Sequence, residues 1–178
     1  MYTYEEYLEL EMASEGRVEY HFGEVFALAG SSKRHNRIVL RMHTLLDETF
    51  SKRPCEVFAL DIKAEIHPRG KYLYPDLVVT CDPEDIAHEE EMMVRKPTLI
   101  IEVLSKGTES RDRNEKFKTY IKIPSLQYYL LVSQEETHVE LYARQSHDFW
   151  HYTAYSDPDA IIPLPVLETE LPLSRIYP

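Results

Sequence analysis

A single α/β domain of mixed (α+β) character, spanning residues 1–178 and built on an αβββαβ core with a mixed central sheet flanked by helices, is the fold these residues predict. Three observations carry that prediction. PTLIIEVL, residues 97 to 104, is short and apolar on both faces, as expected of a strand inside a sheet covered on both sides. Glu56 to Ile66 alternates strictly and reads as a strand with one wetter face. Segments with helical apolar spacing precede and follow these strands.

Taken in order, Thr3 and Glu6 form a capping box for a short helix from Tyr4 to Ala13. RVEYHFGEVFALA alternates around Gly23 as a hairpin does. Ser31 or Ser32 caps a longer helix whose Ile38, Val39, Met42, Leu45, Leu46 and Thr49 form one core-facing stripe, with Pro54 as its stop. After the Glu56 to Ile66 strand, HPRGK makes a turn and YLYPDLVVTC returns as a second strand, whose Pro75 belongs at an edge, a bulge or the strand start. The acidic stretch from Asp82 to Glu91 is a loop or short helix, and PTLIIEVL is the third strand. Asp112, with Glu115 three residues on, is placed to cap a helix running to about Ile123, which Pro124 stops. LQYYLLVS, THVELYAR and DFWHYTAYS supply three further strands, and the proline-rich end from Asp157 to Pro178 is expected to dock on the body.

The chain carries no apolar run of the ~20 residues a bilayer-spanning helix needs. Its opening MYTYEEYLELEM is acidic rather than basic then apolar, so the expected location is the cytoplasm. Cys55 and Cys81 show no metal-ligand spacing and read as small buried hydrophobes in reducing surroundings. The formal net charge of −11 opposes phosphate binding overall, yet KRHNRIVLR, residues 33 to 41, holds Lys33, Arg34, Arg37 and Arg41 with no acid. No HExxH, glycine-rich phosphate loop or GxSxG is present, and no organic cofactor is expected.

Two carboxylates have unusual settings. Glu102 interrupts LIIEVL, and an ionised carboxylate in an apolar strand needs a cation or another pairing group. Asp76 follows Pro75 at the head of LVVT on what should be the neighbouring strand. Two such carboxylates can hold a hard divalent ion and leave positions for water and phosphate; the alternative is that Glu102 pairs with a lysine or arginine and Asp76 caps a turn.

The order helix, strand, strand with PD, strand with E, helix, strand is similar to the core of the restriction-endonuclease-like PD-(D/E)xK phosphodiesterases. RVEYHFGEVFALAGSSKRHNRI, YLYPDLVVT, LIIEVLSKGTESRDRNEKFKTYIKI, LQYYLLV and LPLSRIY, in that order, resemble the Uma family, whose members are described as restriction endonucleases by resemblance. IEVLS followed by Thr108, Asp112, Lys116 and Tyr120 is the most specific part of the match. The resemblance implies a Mg²⁺-dependent (or Mn²⁺-dependent) endonuclease acting on DNA, with Asp76, Glu102, the Val103 carbonyl and Glu19 as metal ligands. His35 matches a family position near the scissile phosphate. Arg34, Arg37 and Arg41 are the candidates for backbone contacts. A homodimer would supply two sites for cutting both strands.

One departure matters for mechanism. Reading E-x-K from Glu102 reaches Leu104, which cannot orient water or stabilise charge. Lys106 lies beyond the strand, whereas Lys116 borders the apolar face of the next helix, about 40° around the axis from Tyr120 at ~100° per residue. Some enzymes of this fold are similar in supplying the lysine from that helix. Lys116 is therefore the expected replacement, with a surface ion pair to Asp112 as its alternative. The rival reading for the whole chain is a catalytically silent binding or interaction domain, favoured by the negative charge and the missing E-x-K. RNA or a nucleotide is a further substrate alternative.

Overall fold

The computed structural model describes residues 1–177. Its central sheet has six strands in the order β11-β10-β9-β8-β6-β3: β3 Glu56–Ala59, β6 Leu77–Thr80, β8 Pro97–Leu104, β9 Tyr128–Ser133, β10 Val139–Arg144 and β11 Trp150–Tyr155. All neighbours are antiparallel except β8 and β9, which run parallel and are joined by a helical crossover. The mixed sheet and its flanking helices are thus as the residues predict.

The period of two along β8 divides the core. Leu99, Ile101 and Val103 face one layer, where helix α2 (Lys33–Phe50) packs through Ile38, Val39, Met42, Leu45, Leu46 and Phe50. Each of those side chains contributes about 1.5–3 kcal/mol by leaving water. Truncating the fully buried Leu46 to alanine should cost about 2–5 kcal/mol. Ile100 and Leu104 face the opposite layer, with Tyr120, Ile123, Leu126, Tyr129 and Leu131. Glu102 has the parity of this second layer and therefore looks toward the crossover helix.

Both long strands expected in the first half of the chain are broken. Glu56 to Ile66 divides into β3 and β4 (Lys63–His67) at Leu60, whose φ of 64° turns the chain. YLYPDLVVTC divides into β5 (Lys71–Leu73) and β6 at Tyr74, Pro75 and Asp76. Strict alternation hides the break because both halves remain half-buried strands, each in a different sheet. β4 and β5 join β1 (Val18–His21), β2 (Glu24–Ala27) and β7 (Met93–Val94) in a five-stranded sheet ordered β2-β1-β5-β4-β7. The β1–β2 hairpin closes through Phe22 and Gly23, both at positive φ (47° and 98°), where glycine relieves the second position. Helix α1 (Tyr4–Ala13) carries the expected capping box.

The acidic stretch contains a short helix, α3 (Pro83–Ala87), capped by Asp82. The crossover helix departs from expectation. It runs as α4 (Glu109–Arg111), a π-helical turn over Asp112–Lys116, and α5 (Phe117–Tyr120). Asp112 is thus inside the helix rather than capping it. The C-terminal hairpin β12 (Ile161–Leu164) with β13 (Thr169–Pro172), followed by α6 (Leu173–Ile176), docks on α2 through Ile162, Leu171, Leu173 and Ile176, as expected; Pro178 lies outside the described residues.

The cysteines correct another expectation. Cys55 and Cys81 are half-buried and joined in a disulfide, with Cα atoms 4.1 Å apart. The register that pairs Glu56 with Thr80 sets them opposite each other at the end of β3 and β6, a proximity invisible in their sequence spacing. Among the described residues no helix is long and apolar enough to cross a membrane.

Candidate active site

The break between β5 and β6 and the parity of β8 bring the selected side chains together. Beyond the Leu77–Ile101 pair the β6 ladder ends, and the Val103 N–H is satisfied by Asp76 Oδ2 at 2.8 Å. The same oxygen lies 3.0 Å from His35 Nε2. His35 is held by the start of α2, where its backbone N–H donates to the Ser32 hydroxyl at the N-cap. The Nδ1 of this buried histidine has no partner among the described residues.

Glu102 is 3% exposed, and its Oε1 accepts from Lys116 Nζ at 2.8 Å and from the Tyr120 hydroxyl at 2.9 Å. Lys116, 6% exposed, also lies 3.6 Å from Asp112 Oδ1 and 3.9 Å from Glu19 Oε1, and donates to the Tyr74 carbonyl. The π turn fits this role: it carries both Asp112 and Lys116, and such insertions are frequent at functional sites. Leu104 lies two residues beyond Glu102 on the same strand face, buried in the core with Tyr120 and Leu131. The space a strand lysine would use is thus apolar, and the ammonium arrives from the helix instead.

Glu19, on β1 of the hairpin, is fully buried. Its Oε1 accepts from the Tyr74 N–H at 3.0 Å and its Oε2 from Arg111 at 2.5 Å, so both oxygens are engaged. Burial would raise its pKa, but His21, Lys116, Arg111 and the Tyr74 N–H outweigh burial and hold it at about 2. Burial would equally discharge Lys116, yet Glu102, Glu19 and Asp112 outweigh it and hold the ammonium charged beyond the usual lysine range. Burial pushes the Glu102 carboxyl well up, with Asp112 and Asp76 adding to it and Lys116 opposing. Asp112 is likewise raised by burial against the pull of Lys116, and its Oδ1 makes no hydrogen bond.

His35, Asp76, Glu102, Asp112 and Lys116 line one cleft of about 380 Å³. Lys106 is exposed, as expected, and does not line it. Of the three arginines expected to meet a nucleic-acid backbone, Arg34 pairs with Glu135 at 3.2 Å, while Arg37 and Arg41 line a neighbouring groove along α2. Asp112 and Tyr120 are the residues whose roles the sequence did not reveal. Their signal was the spacing Asp112, Lys116, Tyr120, four residues apart each time, which sets all three near one helix face.

Residues 4–174 match the family described as "Putative restriction endonuclease", Uma2. The chain belongs to the Uma2 family. Two uncharacterized proteins of Synechocystis sp. (strain PCC 6803) are similar to it: one is 36% identical over 88% of this chain and 82% of its own length. The other is 34% identical over 90% of both. A crystal structure of a "putative nuclease belonging to DUF820" from Anabaena variabilis ATCC 29413 shares the fold, with a TM-score of 0.80 at 20% identity over 99% of this chain and 98% of its own. The Uma2 match spans every residue of the cleft described above.

Proposed function

We propose that this Uma2 protein is a divalent-metal-dependent phosphodiesterase that cleaves DNA, with its essential lysine supplied by the crossover helix. The observation that carries this reading is Lys116 Nζ, 2.8 Å from Glu102 in the cleft that Asp76 also lines.

The residues present fit a divalent cation. No three His, Cys, Asp or Glu side chains form a ready-made cage among the described residues. A cage is not required for Mg²⁺, which commonly takes one or two carboxylates, keeps several waters and binds substrate phosphate. The hydrogen bonds to Asp76 and Glu102 run through one oxygen of each, Oδ2 and Oε1, leaving the second oxygen of each without a partner among the described residues. Asp112 Oδ1 is buried and makes no hydrogen bond, with Lys116 Nζ 3.6 Å away. Four carboxylates, Glu19, Asp76, Glu102 and Asp112, are gathered around Lys116 and Arg111, and a hard cation beside them would favour the ionised forms of Glu102 and Asp112 that burial opposes.

Asp76, Glu102 and the Val103 carbonyl would hold Mg²⁺ or Mn²⁺, which when bound lowers the pKa of a coordinated water and offsets phosphate charge. His35 and the Val103 N–H fix the orientation of Asp76, and Tyr120 fixes that of Glu102. Lys116, held charged by its three carboxylates, orients the attacking water and stabilises the charge that builds on the phosphate oxygens. Glu19, with both oxygens engaged, acts as the anchor that keeps Lys116 and Arg111 in place. Hydrolysis forms one P–O bond to the water oxygen and breaks the bond to the leaving sugar oxygen, which takes up a proton. Two protomers would allow both strands of a duplex to be cut in one encounter.

Cleavage of plasmid and of single-stranded DNA with Mg²⁺ or Mn²⁺, compared with Asp76→Asn, Glu102→Gln and Lys116→Met, tests the proposal. Each substitution should reduce the rate by about 10²–10³. If the wild type shows no cleavage with either metal, the domain is a silent one in which Glu102 and Lys116 form a structural pair; activity that survives all three changes would overturn the assignment of the site.

A further inference from the structure

A second groove lies beside the candidate catalytic cleft. It holds about 700 Å³ and runs along the exposed side of α2 toward α6. Lys33, Arg37 and Arg41 recur every four residues along it, roughly one helical turn or 6 Å apart. Arg175 enters from α6, and among the described residues no carboxylate lines the groove. On a chain of net charge −11, Lys33, Arg37 and Arg41 along this groove form a local field opposite in sign to the whole.

Two of the four basic side chains are also uncommitted. Other basic residues of this protein meet a carboxylate, as Arg69, Arg95, Lys96, Arg111 and Arg113 do. Lys33 and Arg37 are exposed and form neither a hydrogen bond nor an ion pair with any described side chain or backbone group. Arg41 reaches only the Ile176 carbonyl, at 3.5 Å, and Arg175 pairs with Glu48. Asn36 and Thr44 add neutral hydrogen-bonding groups between the charges, a mixture suited to phosphate and sugar oxygens rather than base edges. Ser31 and Ser32 line both this groove and the catalytic cleft, so the two are continuous at the start of α2.

We infer that this groove is the track on which the phosphate backbone of DNA lies beside the scissile bond, held by Lys33, Arg37, Arg41 and Arg175 without sequence selection. The inference rests on the nuclease reading for its choice of polyanion, and it moves the backbone contacts away from Arg34, which does not line the groove. Because the groove begins where α2 presents His35 to Asp76, one rigid helix would set the register between the bound strand and the reacting phosphate.

The test measures binding of the full chain to fluorescently labelled single-stranded and duplex DNA by anisotropy, in EDTA so that nothing is cut, over a range of salt. Lys33→Gln with Arg37→Gln is the primary variant, because neither side chain supports the fold. It should lose about two units of salt slope on duplex DNA and on the order of 10- to 100-fold in affinity at 0.1 M salt. Arg34→Gln, with the same charge change per site on a residue outside the groove, should bind within about twofold of the wild type. Equal losses in the two variants, a slope unchanged in the double variant, no binding by the wild type, or tighter binding to RNA of the same length would each overturn the assignment. Binding is read without metal, so a wild type that binds through the groove yet never cleaves would sink the nuclease reading alone.

Discussion

Replacing Lys116 with methionine removes a buried ammonium while keeping a side chain of similar length. The ammonium lies 2.8 Å from Glu102, 3.6 Å from Asp112 and 3.9 Å from Glu19, all of them nearly excluded from solvent. Breaking a buried pair from one side costs about 3–5 kcal/mol, because the remaining carboxylates keep their desolvation penalty. With an unfolding entropy of about 2.1 cal/mol/K per residue, that corresponds to a fall in melting temperature of roughly 10 °C for a chain of this size. Plasmid cleavage should fall by about 10²–10³ at a temperature where circular dichroism shows the variant folded. Adding Glu102→Gln to the variant should recover part of the lost stability, since a neutral amide has no unpaired charge, and none of the activity. A folded Lys116→Met protein that cut plasmid at the wild-type rate would remove the lysine from the chemistry. An unchanged melting temperature would contradict the buried ion pair itself.

Other expectations use different parts of the structure. Leu104 shares a strand face with Glu102, so Leu104→Lys in the Lys116→Met background should recover part of the lost cleavage rate; no recovery in a folded double variant would show that only the helix can present the charge. Glu19 is held at about 2 in the fold, against 4.5 for a free glutamate, so it contributes stability above about pH 4.5 that is lost as the pH falls toward 2. That contribution is about 3 kcal/mol, and Glu19→Gln should flatten the acid side of the stability curve measured by urea denaturation between pH 5 and 2. A curve as steep as the wild type's would show that other groups carry the acid sensitivity. Reducing the Cys55–Cys81 disulfide, which closes a separation of 26 residues, should cost about 3.5 kcal/mol by freeing the unfolded chain. Equal melting temperatures with and without reductant would refute that estimate.

Much of the core was legible because its signals are local. The apolar stripe of α2, the capping box of Thr3 and Glu6, and the two-faced hydrophobicity of PTLIIEVL each follow from neighbours a few residues apart. The breaks in the two long strands were not, because strict alternation is the same whether a strand stays in one sheet or crosses into another. The π turn was equally hidden. Asp112 has both the residue type and the spacing of a helix cap, and only the continuation of the helix back to Glu109 makes it interior.

The amino-acid sequence by itself determined which groups are the candidates for the proposed chemistry. Glu102 in an apolar strand, Asp76 after Pro75, the absence of a lysine at Leu104 and the position of Lys116 on the next helix are all facts of local order, since strand parity and helix period follow from backbone geometry alone. Tertiary structure decided how those groups are used. It buried Glu19 and engaged both its oxygens, gave Asp76 to His35 and the Val103 N–H, set Cys55 against Cys81, and left Lys33 and Arg37 free while pairing Arg34. Those outcomes depend on partners 26 to 101 residues away in the chain, and no local periodicity encodes which of several nearby charges will meet.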